Sequence, residues 1–215
     1  MKKKGLYIVF EGIVGCGKTV QSRLLANRLR EEYPRREVLW TREPGGSEIA
    51  GQIRKIVQAT EFEEEIDPIC EAYLYAASRA HTLRRVVAPV IKRHGIVISD
   101  RSYLTSVAYQ GAARGLDPEL VLEINKVAVD GMIPDAVFFL DVTPGVALAR
   151  SRDKLGDKFE RYDVDFYIRA IDGYEVAQKM LKDVWHRIDG SNEIDKIHDK
   201  IWDQVLKLLH EPSEK

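Results

Sequence analysis

Cysteine is scarce in this chain: Cys16 and Cys70 are the only two among 215 residues, and neither sits in a C-x-x-C pair or a Cys/His spacing that could hold zinc. A disulfide framework is thereby excluded, and a cytoplasmic, reducing compartment fits best. No apolar stretch approaches the roughly 18 residues of a membrane span, and Met1-Lys2-Lys3-Lys4 runs into a short strand-like segment rather than a signal-peptide core. Neither membrane insertion nor export is expected. An excess of one charge is missing too, since 33 Lys+Arg face 34 Asp+Glu. A general nucleic-acid surface, which needs a basic excess, is therefore not expected. The chain also lacks internal repeats, low-complexity linkers and composition breaks, and only 211–215 reads as a frayed tail.

What is there is an ordinary globular mix, 45% hydrophobic and 31% charged, which argues against wholesale disorder. The length suits one α/β domain over 1–210 and is short for two. The charges are nevertheless sorted. Residues 61–71 carry six acids and no base, and 79–93 carry five bases and no acid. Each run reads as a solvated helix face, unless a phosphate site lies beside the basic one.

Short runs rich in Val, Ile and Phe recur at 6–10, 38–41, 95–99 and 136–142, with a weaker one at 185–189. Such runs read as buried strands, and the helical patterns between them imply right-handed crossovers, a parallel sheet and a three-layer α/β domain. Helices are expected over 18–33, over 68–94 with Pro89 able to bend or divide the segment, over 163–182 and over 194–209. Asp117-Pro118 and Thr143-Pro144 read as a cap followed by a first-turn proline, each opening a further helix.

Between the first strand and the first helix, Gly12-Ile13-Val14-Gly15-Cys16-Gly17-Lys18-Thr19 matches G-x-x-x-x-G-K-[ST], the phosphate-binding loop. Glycines let backbone N–H groups curl around phosphate oxygens, the helix N-terminus adds positive potential, Lys18 reaches the β/γ-phosphates and Thr19 can hold Mg²⁺. The four fixed positions arise by chance in roughly one chain of this length per hundred, and the flanking strand and helix make an accident rarer still. A nucleoside triphosphate site is the reading. Asp100 follows the run at 95–99, where a parallel sheet delivers ligands to strand ends, and can hold Mg²⁺ through water. Arg101 beside it is suited to bidentate contact with a phosphate.

Further motifs follow in order: Thr41-Arg42-Glu43-Pro44-Gly45-Gly46, Tyr75-Ala76-Ala77-Ser78-Arg79-Ala80, Asp100-Arg101 with Ala108-Tyr109-Gln110-Gly111, and Pro134-Asp135 with Leu140-Asp141-Val142-Thr143-Pro144. Together with Phe10-Glu11-Gly12 they resemble the thymidylate kinase family over nearly the whole chain, from residue 10 to about 179. The resemblance implies a P-loop nucleoside monophosphate kinase-like α/β fold with a parallel five-stranded sheet. It implies Mg²⁺-dependent transfer of the γ-phosphoryl of ATP to dTMP for nucleotide biosynthesis, and a homodimer built through helices beside the sheet. It implies Arg42, Arg79 and Arg101 around the monophosphate, and Tyr75 where the family has its thymine-stacking Phe. Tyr75 and Arg79, spaced i, i+4, would then face one nucleotide from one helix. Thr105, Ser106, Tyr109 and Gln110 would line the base pocket. Residues 150–161, with five bases against three acids, look like the family's mobile lid. Gly15 stands at the P-loop position from which the family otherwise supplies a cation, so Arg152, Lys158 and Arg161 are the lid candidates for reaching the transferred phosphoryl.

The pattern departs at three places. Val14 stands where the family usually has Asp or Glu near the sugar 3′-OH, Val20 replaces a Thr, and Ser102 replaces the Tyr after Asp-Arg. An apolar residue at 14 with Asp100-Arg101-Ser102 is also similar to deoxynucleoside kinases. A nucleoside or altered nucleotide acceptor therefore stays open, as does a non-catalytic nucleotide-binding regulator with Val14 as its lesion. If dTMP is the acceptor, Glu11 or a water is a candidate to compensate for Val14.

Overall fold

The computed structural model describes residues 5–59, 62–151 and 162–210. The lid candidates Arg152, Lys158 and Arg161 and the tail at 211–215 lie outside the described residues.

Five strands form one all-parallel sheet: β1 (Leu6–Glu11), β2 (Val38–Arg42), β3 (Ile96–Asp100), β4 (Ala136–Asp141) and β5 (Trp185–Asp189), in the order β2-β3-β1-β4-β5. β1, β3 and all but the last residue of β4 are buried, as expected of near-continuous apolar runs covered on both faces. Phe10 packs on Phe138 across the β1–β4 ladder, with ring centroids 5.4 Å apart. From β1 the chain crosses to β2 on one side, whereas from β3 it crosses past β1 to β4 on the other, so the connections diverge at β1. The crevice outside its carboxyl end is the place where such a sheet binds ligands.

The helices are α1 (Lys18–Glu32), α2 (Glu48–Val57), α3 (Pro68–Thr82), α4 (Ala88–Lys92), α5 (Tyr103–Ser106), α6 (Pro118–Val129), α7 (Pro144–Ser151), α8 (Val164–Met180) and α9 (Ile194–His210). Their caps follow from sequence: Asp67, Asp117 and Asp163 each accept from first-turn amides. The segment from Pro68 to Lys92 is continuous but not uniform. A π-helical turn at Leu83–Val87 separates α3 from α4, and Pro89 sits in the first turn of α4, where its missing N–H costs little. Two helical stretches lack a forecast in sequence. α2 is capped by Ser47, and α5 runs on into a π-helical segment at Val107–Ala113 that packs on α8. The apolar residues of α2, Ile49, Ala50, Ile53, Ile56 and Val57, do recur at helical spacing, so its stripe was there to be read, whereas 107–113 is rich in alanine and glycine and shows none.

Candidate active site

The phosphate loop is built by backbone conformation. Gly12, Gly15 and Gly17 have φ of 134°, 81° and 102°. A Cβ at Gly15 would lie 2.1 Å from the carbonyl oxygen of Ala147 in α7, so the loop tolerates no side chain there. Lys18 is buried and lies across the loop, its Nζ donating to the Ile13 carbonyl at 2.7 Å and to Cys16 Sγ at 3.3 Å. Burial lowers the Lys18 pKa, and a bound phosphate would relieve that penalty. The N–H of Val14 donates to the Tyr109 hydroxyl at 3.2 Å. Cys16 is buried in the turn, where its sulfur would meet a Cβ at Gly12 at 2.8 Å, so its packing demands a small side chain.

The Thr19 hydroxyl donates to Asp100 Oδ2, while Asp100 Oδ1 is buried with no hydrogen-bond partner among the described residues. Two hard oxygen ligands with one buried lone-pair face in want of a partner fit Mg²⁺. No group of three or more His, Cys, Asp or Glu that could hold a metal occurs among the described residues.

Arg101 adopts φ of 77°, a left-handed conformation unusual for a residue with a side chain. Its N–H donates to the Phe10 carbonyl at 2.9 Å and its carbonyl accepts from the Ser99 hydroxyl at 2.7 Å, which hold it there. The guanidinium then lies 5.2 Å from the Tyr109 ring centroid, with Nη1 donating to Thr105 Oγ1 at 3.4 Å.

These groups line one cavity of about 550 Å³. Strand order sets its layout. Arg42, which ends β2, and Pro44 stand on one side with Tyr75 and Gln110; Lys18, Asp100, Arg101 and Tyr109 stand between; and Gly190, Asn192 and Ile194, after β5, stand on the other with Gln21. Val14, Gly15, Cys16, Gly17, Thr19 and Thr105 also reach the wall, whereas Gly12 and Ile13 form the base of the loop.

Two expected wall residues lie behind it. Arg79 is 2% exposed and donates to Glu43 Oε2 at 2.6 Å, to Asn125 Oδ1, and from Nη2 to the Ser102 carbonyl and the Ser106 hydroxyl, each at 3.2 Å. Ser106 is thereby a partner of Arg79 rather than a lining group. Tyr75 and Arg79 therefore do not meet the cavity together, because Glu43 draws the guanidinium inward. Burial raises the Glu43 pKa and Arg79 opposes that rise.

Glu11 also faces inward. It is fully buried and accepts from Ser102 Oγ at 2.7 Å, Thr105 Oγ1 at 2.6 Å and Tyr174 OH at 3.1 Å. It does not take the place beside Val14. The acidic run is likewise not all solvated: Glu71 is fully buried, accepting from Gln110 Nε2 at 2.8 Å and Arg114 Nη2 at 3.2 Å. Gln110 thus has its amide orientation set by a charge behind it. From the basic run, Arg84 turns to the carbonyls of Val127 and Ala128 at the end of α6.

Glu43 was part of a motif but had no role assigned, and Glu71, Arg114, Tyr174 and the segment 190–194 are the site residues that local pattern did not single out. The last carries a usable signal, since Gly190-Ser191-Asn192 follows a strand at the ligand-binding end of the sheet. The others show only that they are polar.

Comparison with known proteins gives the family. A family model for thymidylate kinase matches residues 10–201. A thymidylate kinase of Thermoanaerobacter sp. (strain X514) is 38% identical over 209 residues, covering 96% of this chain and all of the relative. One from Caldanaerobacter subterraneus subsp. tengcongensis is 36% identical over 206 residues, covering 96% of this chain and 97% of the relative. The crystal structure of the Ehrlichia chaffeensis thymidylate kinase superposes with a TM-score of 0.78 at 30% identity, over 94% of this chain and 99% of that one.

Proposed function

The chain belongs to the thymidylate kinase family and transfers the γ-phosphoryl of ATP to dTMP, giving dTDP and ADP, and we propose that both nucleotides meet in the cavity above the carboxyl end of β1. The readings as a nucleoside kinase and as a regulator give way to this one. The observation that carries the site assignment is the continuity of the wall, from Tyr75 and Gln110 past Arg101 and Lys18 to Ile194.

In this reading dTMP lies on the β2 side, its base against Tyr75 and Gln110 and its phosphate toward Arg42 and Arg101. ATP lies with its phosphates in the loop 12–19 and its base toward 190–194. Transfer is in line between two phosphates. The acceptor is already an anion, so the protein needs no strong general base. It supplies alignment, and Lys18, Arg101 and the loop amides neutralise charge on the moving group. Thr19 and Asp100 would hold Mg²⁺, which when bound would offset charge on the phosphate oxygens. The basic run at 150–161 supplies further cations to this reading, with Arg152, Lys158 and Arg161 the candidates for the transferred phosphoryl. Arg79 and Ser106 serve the acceptor site from behind.

The enzyme works in the cytoplasm as a homodimer. Support for the dimer comes from exposed apolar side chains on helices that pack side by side: Ile49 and Ile56 of α2, Tyr73 of α3, and Leu120 and Val127 of α6.

The deciding experiment screens dTMP, dUMP and thymidine as acceptors with ATP, on wild type and on Val14→Asp. ADP release that depends on dTMP is expected, with kcat/KM for dTMP about tenfold higher in Val14→Asp because a charged acceptor is restored at the cavity wall. Phosphorylation of thymidine but not of dTMP would sink the assignment.

A further inference from the structure

The buried carboxylate of Glu11 binds three hydroxyl groups on two helices beside the site while lying outside the cavity wall. At the end of β1 it accepts from Ser102, the cap of α5, from Thr105 in α5, and from Tyr174 in α8. Thr105 Oγ1 is a shared atom. It donates to Glu11 Oε2 at 2.6 Å and accepts from Arg101 Nη1 at 3.4 Å. Its one hydroxyl proton is thus directed at Glu11, which leaves a lone pair facing the guanidinium. The single proton of Tyr174 OH is shared in a three-centre bond between Glu11 Oε2 at 3.1 Å and, at 3.2 Å, the carbonyl of Gly12, the residue where the phosphate loop begins. A charged carboxylate is costly in such a place, and three hydroxyl groups around it offset the cost without introducing a competing cation.

We propose that Glu11 is a positioning residue for phosphoryl transfer, aiming the Arg101 guanidinium through Thr105 and holding the start of the phosphate loop through Tyr174. Arg101 needs such support. Its backbone sits in a left-handed conformation, and besides Thr105 its guanidinium is set against the face of Tyr109. Misplacing a charge by about an ångström at the transferring group can cost on the order of a hundredfold in rate. The proposal rests on the reading that Arg101 faces the phosphates, and one arm of the test addresses that reading alone.

The test measures kcat, the KM values for ATP and dTMP, and thermal melting for Glu11→Gln, Thr105→Val, Thr105→Ser, Tyr174→Phe and Arg101→Ala. Glu11→Gln is expected to lower kcat about tenfold to a hundredfold, with KM for ATP within about twofold of wild type. Thr105→Val should do the same and Thr105→Ser should restore most of the rate. The Glu11→Gln/Thr105→Val double variant should be no slower than the worse single, since both break one relay. Tyr174→Phe keeps the ring in the core and should lower kcat a few-fold. If Glu11→Gln does not fold, Thr105→Val and Tyr174→Phe decide. Glu11→Gln or Thr105→Val with wild-type kcat overturns the proposal even if melting falls, and so do effects that multiply in the double variant. Arg101→Ala with near-normal kcat would instead overturn the placement of Arg101 at the phosphates, whatever Glu11 does.

Discussion

The two sides of the cavity are made by different means. The phosphate loop is eight consecutive residues whose geometry comes from glycine φ angles and a helix start, with a single lysine laid across it. The acceptor side is assembled from β2, α3, β3, α5 and the π-helical segment after it, and its wall is held by buried charges: Glu43 with Arg79, and Glu71 with Gln110 and Arg114. A backbone-built site loses function without losing fold when its side chain is removed. A side-chain-built site has its function and its fold tied together.

Lys18→Ala is the strongest probe of that contrast. It should lower turnover by about 10³-fold or more in a coupled ADP assay, since a cation on the transferring group is lost. The melting temperature should hold or rise, because a buried ammonium whose charge is disfavoured by burial is removed. A large fall in melting would erase the distinction. On the acceptor side, Arg79→Met should destabilise the fold by about 3–5 kcal/mol in urea unfolding, because it leaves the Glu43 carboxylate, 3% exposed, without its partner. Unchanged stability would show that Glu43 is not carried by Arg79.

Glu71→Gln is expected to raise KM for dTMP about tenfold and leave KM for ATP alone, since the hydrogen bond that orients Gln110 and the ion pair with Arg114 are weakened together, both on the acceptor side. Equal changes in both KM values would contradict the division of the cavity. The smallest effect is in pH. Burial holds the Glu11 pKa above the ordinary carboxylate range, so between the unfolded and folded values the folded chain binds more protons. Its contribution to stability is therefore lowest above the folded pKa and grows as pH falls toward the unfolded value. Unfolding free energies of wild type relative to Glu11→Gln should rise on acidification from neutral pH; a fall would mean that the hydroxyl partners outweigh burial.

The same contrast separates what was legible from what was not. All five strands stood out as apolar runs within a residue of their ends, as did the capped helices, because burial on both faces and cap chemistry are local in sequence. α2 was legible from its Ser47 cap and the spacing of Ile49, Ile53, Ile56 and Val57 although it went unforecast, and the helical stretch at 103–113 escaped because it lacks an amphipathic stripe. Arg79 and Glu71 show the limit most clearly. Each sits in a run of like charge that locally reads as a solvated face, yet each is buried because a partner 36 or 39 residues away compensates it.

By itself the sequence determined the parallel α/β core, the phosphate loop and the order of the motifs along the chain, since each depends on residues that are neighbours in the chain or on their periodicity. Only the tertiary structure decided which polar side chains face the nucleotides and which face one another. The family motif contains Arg42, Glu43, Arg79 and Arg101 alike. Folding leaves Arg42 and Arg101 at the cavity and spends Arg79 on Glu43, because a buried carboxylate without a cation costs more than an arginine withdrawn from the wall.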